Sequence, residues 1–192
     1  MASSLWLLRH GETAWSLSGQ HTSTSDIPLT AEGERKAAET GKMLAGRKFA
    51  AVLVSPMQRA RETCRIAGYA EGAIVTADLC EWNYGSYEGL TTPEIWETAP
   101  GWTIWTGTPP GGESIDQVAE RARRVIAAAP DGEVAIFGHG HMLRVLAACW
   151  LGVDPAIGRC FALSTGSISV LGRERDTRVI QTWNSQGWNR TA

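Results

Sequence analysis

Two histidines stand among residues suited to phosphate chemistry. His10 lies in Arg9-His10-Gly11-Glu12-Thr13, and His139 lies in Gly138-His139-Gly140-His141. A neutral imidazole nitrogen is a nucleophile, and a guanidinium offers a planar fork of donors matched to phosphate oxygens. Glycine beside each histidine lets backbone and ligand come close. A second arginine, Arg59, follows Ser55-Pro56-Met57-Gln58. That tetrapeptide reads as a helix start, with Ser55 as N-cap, Pro56 first in the helix and Gln58 completing a capping box. The free N–H groups of such a helix end also favour an anion. Arg9, His10, Arg59 and His139 are the right types to converge on one phosphate group. A metal site is not expected, because no Asp, Glu or Cys stands at ligand spacing beside Gly138-His139-Gly140-His141.

Convergence needs elements that bring these residues together. Leu5–Leu8, Ala51–Val54, residues 73–76 and Val134–Phe137 are short apolar runs that predict buried strands. Thr30 caps a predicted helix with Glu32 and Glu34 in its first turn and Ala37, Gly41 and Leu44 inside. Ser114 and Gln117 form another capping-box pattern, followed by Ile115, Val118, Ala119, Ala122, Val125 and Ile126 at helical spacing. Residues 142–151 predict an apolar helix, and 167–172 and 178–183 two closing strands. Residues 9–30 read as a polar loop. Residues 78–112 read as a long connection with a short helix near 93–99. Alternating strands and helices predict the α/β class, as a three-layer α/β/α sandwich with a mostly parallel central sheet. Ligands bind such sheets beyond the carboxyl ends of the strands, where strand order reverses. Both histidine turns follow strands.

The chain has 192 residues, which suits one domain over 1–192. A hydrophobic share of 43% and a charged share of 20% exclude disorder and collagen-like structure. No apolar run approaches the roughly 20 residues of a membrane span. Lys+Arg is 18 against 20 for Asp+Glu, a balance that argues against a nucleic-acid partner. The first residues do not read as a signal peptide, so a cytoplasmic location is expected. Cys64, Cys80, Cys149 and Cys160 contain no Cys-x-x-Cys pair and are expected to be reduced core thiols.

The joint pattern resembles the histidine phosphatase superfamily, branch 1, which includes the cofactor-dependent phosphoglycerate mutases. Leu8-Arg9-His10-Gly11-Glu12-Thr13 matches the family signature, and Ser55-Pro56-Met57-Gln58-Arg59-Ala60-Arg61-Glu62-Thr63 its second block. Glu81-Trp82-Asn83-Tyr84-Gly85-Ser86-Tyr87-Glu88-Gly89 matches the acid block; Gly112-Glu113-Ser114 and Gly138-His139-Gly140 complete the order. The resemblance implies a phosphoglycerate-mutase-like fold and catalysis through phosphohistidine. His10 is then the nucleophile. Arg9, Arg59 and His139 hold the equatorial phosphate oxygens, and Glu81 protonates the leaving alcohol and then activates water. Glu88 is the competing carboxylate. No metal or organic cofactor is implied.

The resemblance also orders the activities. The mutases are usually longer after the acid block, and they commonly carry Asn where this chain has Ser16. The wording of residues 15–22, of 81–89 and of His139-Gly140-His141-x-Leu143-Arg144 is similar to acid phosphatases and fungal sedoheptulose bisphosphatases. A phosphomonoesterase acting on small phosphate esters is therefore expected ahead of a mutase. An interaction module that has lost catalysis is a further alternative, disfavoured because every core position is filled. Gln20, Thr22 and His141 are candidate substrate contacts. Trp102, Trp105, Pro109 and Pro110 are candidates for a pocket wall. A homodimer is open through the strand edge near 167–183. Tryptophan is over-used, 9 against 3 Tyr and 3 Phe. Trp6, Trp15, Trp82, Trp96, Trp102 and Trp105 lie near the site blocks in sequence, so they are expected to wall the pocket.

Overall fold

The computed structural model describes residues 2–44 and 46–187. Its strands are β1 (Ala2–Arg9), β2 (Ala51–Val54), β3 (Ile74–Val75), β4 (Gly132–Gly138), β5 (Ile168–Glu174) and β6 (Thr177–Ser185). Its helices are α1 (Ala14–Ser18), α2 (Ala31–Leu44), α3 (Gln58–Ile66), α4 (Thr92–Thr98), α5 (Ile115–Ala128) and α6 (Gly140–Leu151). The strands form one sheet in the order β3-β2-β4-β1-β5-β6. Pairings among β1 to β4 are parallel, and β5 and β6 join antiparallel. The mostly parallel α/β sandwich is as predicted.

Alternation along the strands builds two cores. Leu5 and Leu7 of β1, with Val134 and Ile136 of β4, face the apolar sides of α5 and α6. Trp6 and Leu8, with Ala135 and Phe137, face Leu44 of α2 and Ala60 and Cys64 of α3. Burial of both faces explains why these strands are nearly continuous apolar runs rather than alternating ones. It also creates the crevice. The chain leaves β1 toward the α2 layer and leaves β4 toward the α6 layer, yet β1 and β4 are neighbours. Their carboxyl ends, Arg9 paired with Gly138, therefore diverge to opposite faces and open a cleft.

Several expectations are corrected. The stretch 9–30 contains α1, capped by reciprocal bonds between Thr13 and Ser16. Helix α3 begins at Gln58, and its N-cap is Met57 without a side-chain cap bond. Ser55 lies two residues before that cap, and its hydroxyl accepts from Met57 N–H at 3.3 Å and from His139 at 2.7 Å. The α3 N-terminus is not open to an external anion either, since Asp26 Oδ1 accepts from Gln58 N–H at 2.7 Å. All four cysteines are free, but only Cys64 and Cys149 are buried, while Cys160 is exposed. The tryptophans mostly leave the pocket. Trp6 packs edge-on against Phe49 in the α2/α3 core. Trp82 and Trp150 are buried in the other core. Trp96 is exposed, and Trp188 lies outside the described residues.

Candidate active site

The turn after β1 is built by backbone-to-backbone packing. A Cβ at Gly11 would stand 2.3 Å from the Gly33 carbonyl oxygen, and one at Gly33 would stand 2.1 Å from that of Glu12. Only two glycines allow this contact, which seats the turn on α2. Gly11 N–H donates to Thr63 Oγ1 at 3.0 Å, and His10 N–H donates to the Gly138 carbonyl at 3.0 Å. His10 is thereby fixed to both neighbouring elements. Its side chain is buried, and Nδ1–H donates to the Gly11 carbonyl at 2.7 Å. A carbonyl only accepts, so Nδ1 carries the proton and Nε2 keeps its lone pair. Burial, followed by the charges of Arg9 and Arg59, holds His10 well below the usual imidazole range.

Arg9 lies at the cleft beside Gly140 and donates from Nη1 to the Leu163 carbonyl. Its Nε is buried without a hydrogen-bond partner among the described residues. Burial lowers its pKa, and the Glu81 charge opposes that effect.

Glu81 is 5% exposed and sits at the positive end of α6. Oε1 accepts from the N–H groups of Trp82 and Met142 at 2.9 and 2.8 Å, and Oε2 from that of His141 at 3.0 Å. The acid loop is braced from behind. Trp82 Nε1–H donates to the Glu113 carbonyl, Asn83 N–H donates to Glu113 Oε2, and Arg121 pairs with Glu113. The Gly112-Glu113-Ser114 block thus buttresses the acid loop and caps α5. Glu88 is spent elsewhere: its oxygens accept from Ser23 and Ser25 N–H groups at 2.8 to 3.0 Å.

His10, Arg9, Glu81, Gln20, Thr22 and His141 all line one cavity of about 400 Å³. Arg59 and His139 are fully buried and are not among the residues that line it. Arg59 is fully buried and donates to the carbonyls of Ser25, Thr22 and Ser23. Its Nε–H donates to His139 Nδ1 at 3.2 Å, which leaves His139 Nε2–H to donate to Ser55 Oγ at 2.7 Å. Burial, then Arg59 and His10, hold His139 well below the imidazole range. Its ring stands 5.2 Å from that of His10. Gln20 donates to the Gly89 carbonyl, and Thr22 to that of Gln20, so both help shape the rim.

His21, Tyr84 and Arg144 are among the wall residues that had no role assigned from sequence. Tyr84 Oη stands 2.6 Å from His141 Nδ1, and burial raises the Tyr84 phenol well above its usual range. The signal available for Arg144 was its place three residues after His141 on one helix. Trp102 and Trp105 do form pocket wall, as expected of that pair.

Residues 5–186 match the family model of the histidine phosphatase superfamily, branch 1. The chain belongs to this family. As a histidine phosphatase it is an enzyme that acts on phosphate esters. It is 41% identical over 182 residues to an acid phosphatase of Mycobacterium tuberculosis, covering 92% of this chain and 89% of the relative. It is 33% identical to a sedoheptulose 1,7-bisphosphatase of Saccharomyces cerevisiae, covering 77% of this chain and 67% of the relative. The solved structure of an open reading frame from M. tuberculosis superposes with a TM-score of 0.87 at 39% identity, covering 94% of this chain and 96% of that one. Among the described residues, no helix of this histidine phosphatase is long and apolar enough to cross a membrane.

Proposed function

We propose that this histidine phosphatase is a phosphomonoesterase of the acid-phosphatase kind, with one domain over 1–192, and that it hydrolyses small phosphorylated metabolites through a phosphohistidine on His10. The observation that carries the reading is the state of His10: buried at the cavity, neutral, with Nδ1–H anchored on Gly11 and Nε2 without a hydrogen-bond partner among the described residues. Nε2 attacks phosphorus while Arg9 takes the equatorial oxygens. Arg59 supplies the second positive charge and shapes the 22–25 rim. The ester oxygen departs with a proton from Glu81. Water then attacks phospho-His10, gives its proton back to the Glu81 carboxylate, and releases inorganic phosphate with the neutral imidazole restored.

The net charge of -2 supports metabolite esters over nucleic acid as substrates. Four free cysteines support a cytoplasmic location. The position of β6 at the sheet edge supports a homodimer through that strand.

The test uses a generic aryl phosphate. The purified protein should hydrolyse it in the presence of a chelator, with a preference for mildly acidic pH. His10→Ala should abolish turnover, by about 10⁴-fold or more. Full activity of His10→Ala, or loss of wild-type activity to the chelator, would refute the mechanism.

A further inference from the structure

Two imidazoles besides His10 line the cavity, His21 and His141. Each commits one ring nitrogen to the protein, and the two commitments are opposite. His21 is fixed to the acid loop. Its backbone N–H and its Nδ1–H both donate to the Leu90 carbonyl, at 2.9 and 2.8 Å. A carbonyl only accepts, so Nδ1 carries the proton and the neutral ring keeps a lone pair on Nε2.

His141 takes the other tautomer. Its Nδ1 lies 2.6 Å from Tyr84 Oη. Burial raises the phenol well above its usual range and holds the imidazole well below its own, so both groups are neutral. Tyr84 is 2% exposed, and its Oη has no other partner among the described residues. A ring N–H aimed at that oxygen would strand the phenol hydrogen, so the phenol donates and Nδ1 accepts. Nε2 of His141 therefore carries the hydrogen.

Neither Nε2 has a hydrogen-bond partner among the described residues, and both side chains are only half-buried. The two rings share one stretch of wall. Their centres lie 4.8 and 5.9 Å from that of the Tyr84 ring, both edge-on. Trp102 stands edge-on to His21 and Trp105 to His141, so each imidazole is wedged between aromatic neighbours. The backbone N–H of His141 donates to Glu81 Oε2 at 3.0 Å, which sets this wall beside the acid that serves the leaving alcohol.

One uncharged acceptor and one uncharged donor discriminate by chemistry. A carboxylate or a phosphate dianion accepts from His141 but has no hydrogen to give His21. A methylene satisfies neither ring. A hydroxyl both donates and accepts, so it satisfies either.

We infer that His21 and His141 bind hydroxyl groups of the leaving alcohol, His21 as acceptor and His141 as donor, and so select phosphate esters of polyols. This rests on the phosphatase reading above and narrows its substrate class. It makes the two histidines specificity residues with fixed and complementary tautomers.

The test reads kcat/KM of the full chain at about pH 7.5, above the ordinary imidazole range. Each polyol ester is set against an alkyl ester of like size and charge: glycerol phosphate against propyl phosphate, erythritol phosphate against butyl phosphate, and glucose phosphate against cyclohexylmethyl phosphate. The wild type should favour at least one polyol by on the order of 10- to 100-fold. Two variants of each histidine separate recognition from support. An asparagine amide reaches the place of Nδ1, and a glutamine amide that of Nε2. His21→Asn and His141→Asn keep the Leu90 and Tyr84 bonds but lose the free edge, and each should cut the ratio about 10-fold, chiefly through KM. His21→Gln and His141→Gln restore a polar group at the free edge and should keep most of the ratio. The ratio is read within one protein, so a common loss of activity cancels. Equal wild-type values across every pair overturn the inference. So does an asparagine variant of either histidine that keeps the full ratio. A glutamine variant that loses the ratio as its asparagine counterpart does also overturns it, since a ring that merely supports the wall behaves that way. Failure of the wild type to hydrolyse any ester, aryl phosphate included, strikes the phosphatase reading instead.

Discussion

The turns after β1 and β4 look alike and act differently. Each places a glycine-flanked histidine at the carboxyl end of a central parallel strand, and the two strands are neighbours. Both rings are buried and held neutral by burial and nearby arginines. The difference lies in where their nitrogens go. His10 spends only Nδ1, on the carbonyl of the next residue, and faces the cavity with Nε2. His139 spends both nitrogens on protein partners, Arg59 and Ser55. A shared local pattern thus yields one ring bonded through a single nitrogen and one bonded through both. What separates them is a single unpaired nitrogen.

The sharpest way to break this comparison is to truncate each ring. His10→Ala should be inactive. His139→Ala should retain His10 chemistry while losing order at Arg59, whose buried Nε would be left unpaired at a cost of about 1–3 kcal/mol. We expect kcat to fall about 100-fold, with phosphohistidine still formed on denaturing quench from a labelled ester. A His139→Ala protein as dead as His10→Ala, with no trapped phosphoenzyme, would show that both rings touch the reacting group.

Acid titration sharpens it next. The unfolded histidines titrate near 6.5, and folding depresses both values well below that. In the window between, the unfolded chain binds protons that the folded chain does not. Stability should therefore be complete above about pH 6.5 and fall as pH drops through the window, by about 1.4 kcal/mol per histidine per pH unit. His141 is depressed in the same way and adds to the slope. Denaturant midpoints from about pH 7 to about pH 5.5 measure it. A stability flat over that range would contradict the neutral, buried state assigned to both rings.

The smallest effect belongs to Ser55→Ala. It removes the partner of His139 Nε2–H, a loss of about 1 kcal/mol, so kcat should drop roughly five-fold with KM nearly unchanged. A larger loss in KM than in kcat would place Ser55 at the substrate instead.

Much of this was legible along the chain. The apolar runs marked the strands because a sheet covered on both faces needs continuous hydrophobic segments. The cap at Ser114 was legible because its partner Gln117 is three residues away. The cap at Ser55 was misread for the opposite reason. Its hydroxyl is shared between Met57 N–H and His139, 84 residues on, and the helix end is claimed by Asp26, 32 residues back. The tryptophans were misread likewise. Proximity to the motifs in sequence put six of them near the site, but strand alternation turns Trp6 to the α2/α3 side and Trp82 packs inward, leaving Trp102 and Trp105 on the wall.

By itself the sequence determined the strands, the longer helices, the class of fold and the family, together with the residue types that phosphate chemistry requires. These follow from local periodicity, capping and motif wording, all written within a few residues of one another. Only the tertiary structure decided which histidine keeps a free nitrogen, that Arg59 and His139 bond to each other, and that Arg144 reaches the cavity wall. Those outcomes depend on hydrogen-bond partners and neighbours far away in the chain. A ring or a guanidinium acquires its role from the groups that satisfy it, or fail to, once the fold has closed.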